Sequence, residues 1–326
     1  MRINTISIVL FLIIVETLSC QQSDPSSIKK QGIYQKDRPA LAHADTIIKQ
    51  PIIKLDSIGL EIPKCNKNDK VISHHGYTFL YSESHEQASW VAYELSSFET
   101  KSLFKRSNKF CEDPYVSTGT ATLSDYKHSG FDRGHLAPAA DMGWSSLAMN
   151  ESFYFSNISP QVPSFNQGIW KKLEELVRLW AVESKAIYIV TGPILSEGLA
   201  SIGPNKVSVP KYFYKVILDY SKPEYKGIGL IIPNTGSHEM LQNFVVSIDS
   251  VEKLTSLDFF PKLPDHYESQ LESKVCASCW TWAKPSHKKN QNKSNSLQCL
   301  ATTKSGLRCK RMTRNLNSIC TQHNRY

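Results

Sequence analysis

Apolar positions recur along this chain in distinct rhythms, and each rhythm predicts a different element. "YTFLYS" (77–82) and "SWVAYEL" (89–95) alternate or cluster β-branched and aromatic residues, with polar "SHEQA" between them, and read as two strands of a hairpin. In "NQGIWKKLEELVRLWAVES" (166–184) the apolar positions 169, 170, 173, 176, 177 and 180 follow the 3.6-residue period, which predicts an amphipathic helix. "AIYIVTGPI" (186–194), ended by Gly192 and Pro193, "KYFYKVILDY" (211–220) and "GIGLIIPN" (227–234) read as buried strands. "NFVVSIDSVEKLTSLDFF" (243–260) combines a strand with a short helix. Strands on both sides of one long helix, without regular βαβ alternation, predict an α+β domain over residues 65–282. No internal repeat interrupts that pattern.

The ends of the chain follow other rules. Arg2 precedes the apolar run "ISIVLFLIIV" (6–15), too short for a comfortable membrane span, and residues 1–20 read as a signal peptide for export. Cys20 resembles the lipidated cysteine of a bacterial lipoprotein signal, although Glu16 and Thr17 depart from that pattern. A periplasmic lipoprotein anchored to the membrane through Cys20 and a secreted protein are both open. Residues 21–64 form a polar linker, 283–298 a basic linker, and 299–326 a small cysteine-rich module.

The formal net charge of +8 suggests a nucleic-acid footprint until it is divided along the chain. Residues 283–326 hold 10 Lys and Arg and no acid, so the other 28 basic residues face all 30 acidic ones. The body's charge alone therefore predicts no polyanion partner, and a phosphate site there must come from a few placed cations.

"SGFDRGHLAPAADM" (129–142) supplies such a candidate. Phosphodiester hydrolysis needs a base for water, a cation for the phosphoryl oxygens and a geometry that holds both. His135 has the side chain whose unperturbed pKa suits base work near neutrality, and Arg133 can fork onto phosphate oxygens. By itself D-R-G-H also reads as a charged turn in which Asp132 pairs with Arg133.

The wider run "YKHSGFDRGHLAPAADM" and "FYFSNISPQVPSFNQGIWKKLEE", with "WVAYEL", "KFCEDP", "YIVTGPI", "VSVPKYFYKVILD" and "SLDFFPKL", closely resembles the DNA/RNA non-specific endonuclease family. That resemblance spans about residues 70–275. It implies the ββα-metal-finger (His-Me) fold around a mainly antiparallel central sheet and hydrolysis of DNA and/or RNA with little sequence preference. It also implies roles: His135 as general base, Arg133 and Arg106 as phosphate contacts, and Asn166 as the single protein ligand of Mg²⁺, or Mn²⁺ in its place. Glu174 would bond the metal's waters, and Asn157 would brace the metal loop. On a straight helix Glu174 lies about 80° around the axis from Asn166, so both can serve one site. Taken singly, Asn166 also reads as a helix N-cap and Glu174 as a solvated helix charge.

In the tail, C-x9-C-x10-C-x2-H places Cys299, Cys309, Cys320 and His323 in the donor set of a closed structural Zn²⁺ site. Disulfides are the competing reading for an exported chain, but three tail cysteines cannot pair completely among themselves. Cys276 and Cys279 fit a local disulfide, a zinc contribution or plain packing. The leading functional reading is an exported, Mg²⁺-dependent endonuclease. The rival from another class is an inactive nucleic-acid-binding or interaction lipoprotein that uses its basic tail.

Overall fold

A computed structural model of the chain describes residues 59–282, 297–303, 305–313, 319–320 and 322–323. The expected signal peptide, Cys20 and most of both expected linkers lie outside those residues. In chain order the elements are β1 (Val71–Ser73), β2 (Thr78–Ser82), β3 (Gln87–Ser96), α1 (Leu123–Tyr126), β4 (Asp132–His135), α2 (Ser146–Glu151) and β5 (Ile158–Gln161). There follow α3 (Lys171–Ser184), β6 (Ala186–Pro193), β7 (Ser201–Ile202), β8 (Val207–Ser208), β9 (Tyr212–Asp219), β10 (Lys226–Pro233) and β11 (Val245–Val246). The last are α4 (Ile248–Thr255), α5 (Asp265–Glu272), β12 (Leu297–Gln298) and β13 (Met312–Thr313).

Seven strands form one sheet in the order β1-β2-β3-β6-β9-β10-β11, and every neighbouring pair is antiparallel. Side chains alternate across a strand, so each central strand feeds two cores. On β3, Val91, Tyr93 and Leu95 face the layer that holds α3, where Trp170, Leu173, Val177 and Trp180 are buried. Trp90 and Ala92 face the opposite layer with Ile248 and Val251 of α4 and Leu271 of α5. On β9 the same alternation sends Phe213 and Ile217 one way and Tyr214, Val216 and Leu218 the other.

Several elements depart from the sequence reading for identifiable reasons. D-R-G-H is not a turn but the strand β4, paired antiparallel with β5 so that Asp132 faces Gln161 and His135 faces Ile158. The helix expected over 166–184 begins with a wide π-helical turn, Phe165–Trp170, broken at Gly168 (φ −102°, ψ −109°), and runs as α-helix only from Lys171. Such wide turns often mark functional sites. The 80° relation between Asn166 and Glu174 assumed a straight helix and does not hold across this break. The polar linker expected to end at residue 64 ends earlier: Leu60 is buried beside Phe259 and Phe260, and the Lys64 amide donates to the Asp258 carbonyl. Cys276 and Cys279 are joined by a disulfide. The segment after them packs onto α3, where the Trp180 indole donates to the Thr281 carbonyl at 2.6 Å.

Candidate active site

Strand alternation places Arg133 and His135 on the same face of β4, because positions i and i+2 share a side. Gly134 between them allows the strand to lie close to its neighbour. A Cβ there would fall 2.1 Å from Cδ of the buried Gln161 side chain, so any larger residue must displace that side chain. The chain immediately after His135 is stapled by Asn157. Its Oδ1 accepts from the Ala137 amide, and its Nδ2 donates to the Ala137 and Ser152 carbonyls, each at 2.9 Å. Asn157 thus braces the chain that leaves the histidine strand.

His135 is 7% exposed, with the Phe153 ring edge-on at 4.8 Å and Phe110 at 5.6 Å. Its Nε2 is buried without a hydrogen-bond partner, which leaves Nδ1 as the nitrogen facing the cleft. Burial, reinforced by the charges of Arg106 and Arg133, lowers its pKa to about 3. The imidazole is therefore neutral, in the form that can accept a proton. The same two rings carry both guanidinium groups: Arg133 lies 4.3 Å over Phe110, and Arg106 lies 4.8 Å over Phe153. Stacking on a ring holds an arginine in place while leaving its terminal nitrogens to face an oxyanion; Arg106 is further fixed by donating from Nε to Asn108 Oδ1 at 2.9 Å.

Asp132, on the first position of β4, does not pair with Arg133. Its Oδ2 accepts from Asn166 Nδ2 at 2.9 Å and from Gln167 Nε2 at 2.8 Å. A carboxylate accepts, so it fixes which end of the Asn166 amide is nitrogen and reserves the carbonyl Oδ1 for another partner. One neutral oxygen is the donor that a largely hydrated Mg²⁺ takes from protein, and the residue fits such an ion.

Glu174 lines the same cleft from α3. Burial raises its acid to about 7, while Lys215 pulls in the opposite direction. Lys215 is fully buried on β9 with its ammonium 5.0 Å over the Trp170 ring, and burial lowers its pKa to about 8. Arg178 closes this base of charges: it donates to Asp141 Oδ1 at 2.7 Å, and Tyr93 donates to the other Asp141 oxygen at 2.9 Å.

Arg106, Arg133, His135, Asn166 and Glu174 thus surround one cleft of about 270 Å³, together with Gln167, Lys171 and Arg178. On the far flank of Arg133 lies a second cleft of about 350 Å³, bounded by Leu123, Tyr126, Lys127, Phe131 and Asp132. It is larger but no histidine lines it, which makes the first the candidate active site. The sequence reading missed Phe110, Phe153, Arg178 and Lys215. For Lys215 a signal was present, since a lone lysine inside the apolar run "YFYKVILDY" must be buried with its charge.

In the tail, the donor atoms of Cys299, Cys309, Cys320 and His323 lie within 4.8 Å of one another. The sulfurs of Cys309 and Cys320 are 4.0 Å apart, and His323 Nδ1 is 3.6 Å from Cys299 and 3.3 Å from Cys320. Tetrahedral zinc with bonds of about 2.0–2.3 Å implies ligand separations of roughly 3.5–3.8 Å. None of the three cysteines is in a disulfide.

A buried histidine, two stacked arginines and an oriented amide oxygen meet in one cleft. The family model described as DNA/RNA non-specific endonuclease matches residues 59–266. The chain belongs to that family and is a nuclease, a hydrolase acting on DNA or RNA. It is 36% identical over 206 residues to mitochondrial endonuclease G of Bos taurus, covering 59% of this chain and 69% of that protein. Nuclease C1 of Cunninghamella echinulata var. echinulata is 37% identical over 209 residues, 59% of this chain and 83% of its own. A nuclease of Nostoc sp. is 30% identical over 256 residues, 74% of this chain and 91% of its own. The solved structure of an EndoG/EndoGI complex matches with a TM-score of 0.57 at 31% identity, covering 60% of this chain and 88% of that one.

Proposed function

We propose that the protein is an exported, Mg²⁺-dependent endonuclease of the ββα-metal type that cleaves DNA and RNA with little sequence preference. The observation that carries this reading is the convergence of His135, Arg106, Arg133, Asn166 and Glu174 on one cleft from three separate stretches of chain. Asn166 Oδ1 would hold the cation and Glu174 its waters; when bound there, Mg²⁺ supplies Lewis-acid stabilisation of charge on the phosphoryl and leaving oxygens. His135 Nδ1 takes the proton from the attacking water. Arg133 and Arg106 fork onto the non-bridging oxygens, and docking of that negative charge offsets the two cations that depress the histidine, raising its basicity when substrate is present. These contacts go to the phosphate backbone, which carries no sequence information.

The tail geometry supports a structural Zn²⁺ on Cys299, Cys309, Cys320 and His323, and the apolar run after Arg2 supports export. Plasmid DNA incubated with the purified protein tests the central reading. Cleavage should appear with Mg²⁺ and vanish with EDTA. His135→Ala should lose roughly 10²–10⁴-fold in rate, the range of a general base, with an unchanged circular dichroism spectrum. Binding of plasmid without cleavage in both conditions would instead favour the inactive, tail-binding rival.

A further inference from the structure

Far from the nuclease cleft, on the opposite face of the sheet, α4 and α5 bring three carboxylates together. Asp249 and Glu252 come from α4 and Glu272 from the last position of α5, and one oxygen of each lies within 4.8 Å of the others. Glu272 is 7% exposed, and its Oε1 is buried without any hydrogen-bond partner. Glu252 accepts from the Phe259 amide at 2.8 Å, which fixes its carboxylate. Among the described residues no ion pair supplies any of the three with a cation.

This arrangement is unfavourable as it stands. The C-terminal end of a helix carries partial negative charge, so a carboxylate at the end of α5 is opposed by the helix itself. Burial and the charges of Glu252, Glu268, Asp249 and Asp258 push the Glu272 acid up to about 9. The crowding is also rigidly built. Gly227 and Gly229 of β10 let the helices approach so closely that a Cβ would fall 2.8 Å from Ile248 and 2.9 Å from Val251, the first residue and the fourth of α4. A fold that holds three acids at this spacing, one of them buried with an orphaned oxygen, is matched by a divalent cation.

We propose that Asp249, Glu252 and Glu272 form a second metal site, one that binds Ca²⁺ and ties α4 to α5. An all-carboxylate set selects a hard cation and excludes the thiolate-seeking metals suited to the tail. Ca²⁺ tolerates irregular oxygen cages at about 2.3–2.6 Å and completes them with water, whereas Mg²⁺ demands near-ideal octahedral geometry. Three carboxylates, one of them exposed, place the affinity at about 10⁻⁴–10⁻³ M.

The test is thermal unfolding of the full-length protein in resin-treated, calcium-free buffer, with and without 5 mM CaCl₂ as about tenfold excess over that affinity. Calcium should raise the melting temperature of the wild type by about 3 °C, as expected for a ligand bound only by the folded state. Asp249→Asn, an exposed change that disturbs no packing, should lose most of that rise while keeping full nuclease activity. Glu272→Gln should lose it too, and should melt no lower than the wild type in calcium-free buffer. A wild type with no calcium-dependent rise, as a simply protonated Glu272 would give, overturns the proposal. So does an equal rise in Asp249→Asn, which would place the bound calcium elsewhere, the nuclease cleft included.

Discussion

His135 sits against Phe110 and Phe153 with two guanidinium groups beside it, and these neighbours keep its imidazole neutral well below the usual histidine range. That has a sign that can be measured. The folded-state value, about 3, lies below the unperturbed 6.5, so as pH falls the unfolded chain takes up this proton first. Stability is therefore lost from about pH 6.5 downward and stops falling on this account only near pH 3. Between pH 7 and 5 the single histidine should remove about 2 kcal/mol of folding free energy. Urea unfolding of wild type and His135→Gln at both pH values isolates it, because every other titrating group is common to the two proteins. Equal losses in both would mean that the histidine is not held neutral. Asp132 acts at the same scale through Asn166 and Gln167. Asp132→Ala frees the amide to rotate, and groups that orient a metal ligand typically matter by 10–100-fold. The Mg²⁺ concentration for half-maximal cleavage should rise by about that factor; an unchanged metal titration would show that the carboxylate does not orient the site.

At the scale of the element, β4 owes its position to the absence of a side chain at residue 134. Gly134→Ala forces a methyl into the Gln161 side chain, and overpacking of this kind costs about 1–3 kcal/mol. Because β4 carries both Arg133 and His135, the same change should lower cleavage at least tenfold, read from the melting temperature and the rate together. A stable, fully active Gly134→Ala would mean that β5 yields without moving the site. This strand also marks where sequence reading reached its limit. β2, β3, β6, β9, β10 and α3 were legible because long apolar runs carry a period. β4 and β5 are four residues each, one holding three polar residues and the other a proline, and no period survives in so short a span. The candidate site was legible in the opposite way. His135, Arg133, Asn166 and Glu174 stand in spaced motifs, but Phe110, Phe153 and Lys215 act through packing between distant segments. Nothing local in "KRSNKFCEDP" distinguishes a phenylalanine that supports a guanidinium from one in any core.

At the scale of the whole molecule, charge and chemistry are divided between two parts of the chain. The cleft's cations sit in a body whose basic and acidic residues nearly cancel, while residues 283–326 hold ten basic residues and no acid. The two parts also have separate cores: residues 59–282 bury apolar clusters on both faces of the sheet, whereas the tail's cluster is Cys299, Cys309 and Cys320 with Ala301 and Ile319. Chemistry should therefore survive removal of the tail, and salt-sensitive capture of nucleic acid should not. A chain ending at residue 282 should cleave a short oligonucleotide with a kcat within about twofold of the full chain. Its KM on long DNA should rise, and log KM should depend less steeply on log[salt], by about one unit for each phosphate that the tail neutralises. If the donor set of Cys299, Cys309, Cys320 and His323 holds the proposed zinc, the metal should be present at one per full chain and absent from the shortened one. A shortened chain with the same salt slope would make the tail's ten positive charges bystanders in substrate capture, and would leave Arg106, Arg133 and the metal to hold the polyanion alone.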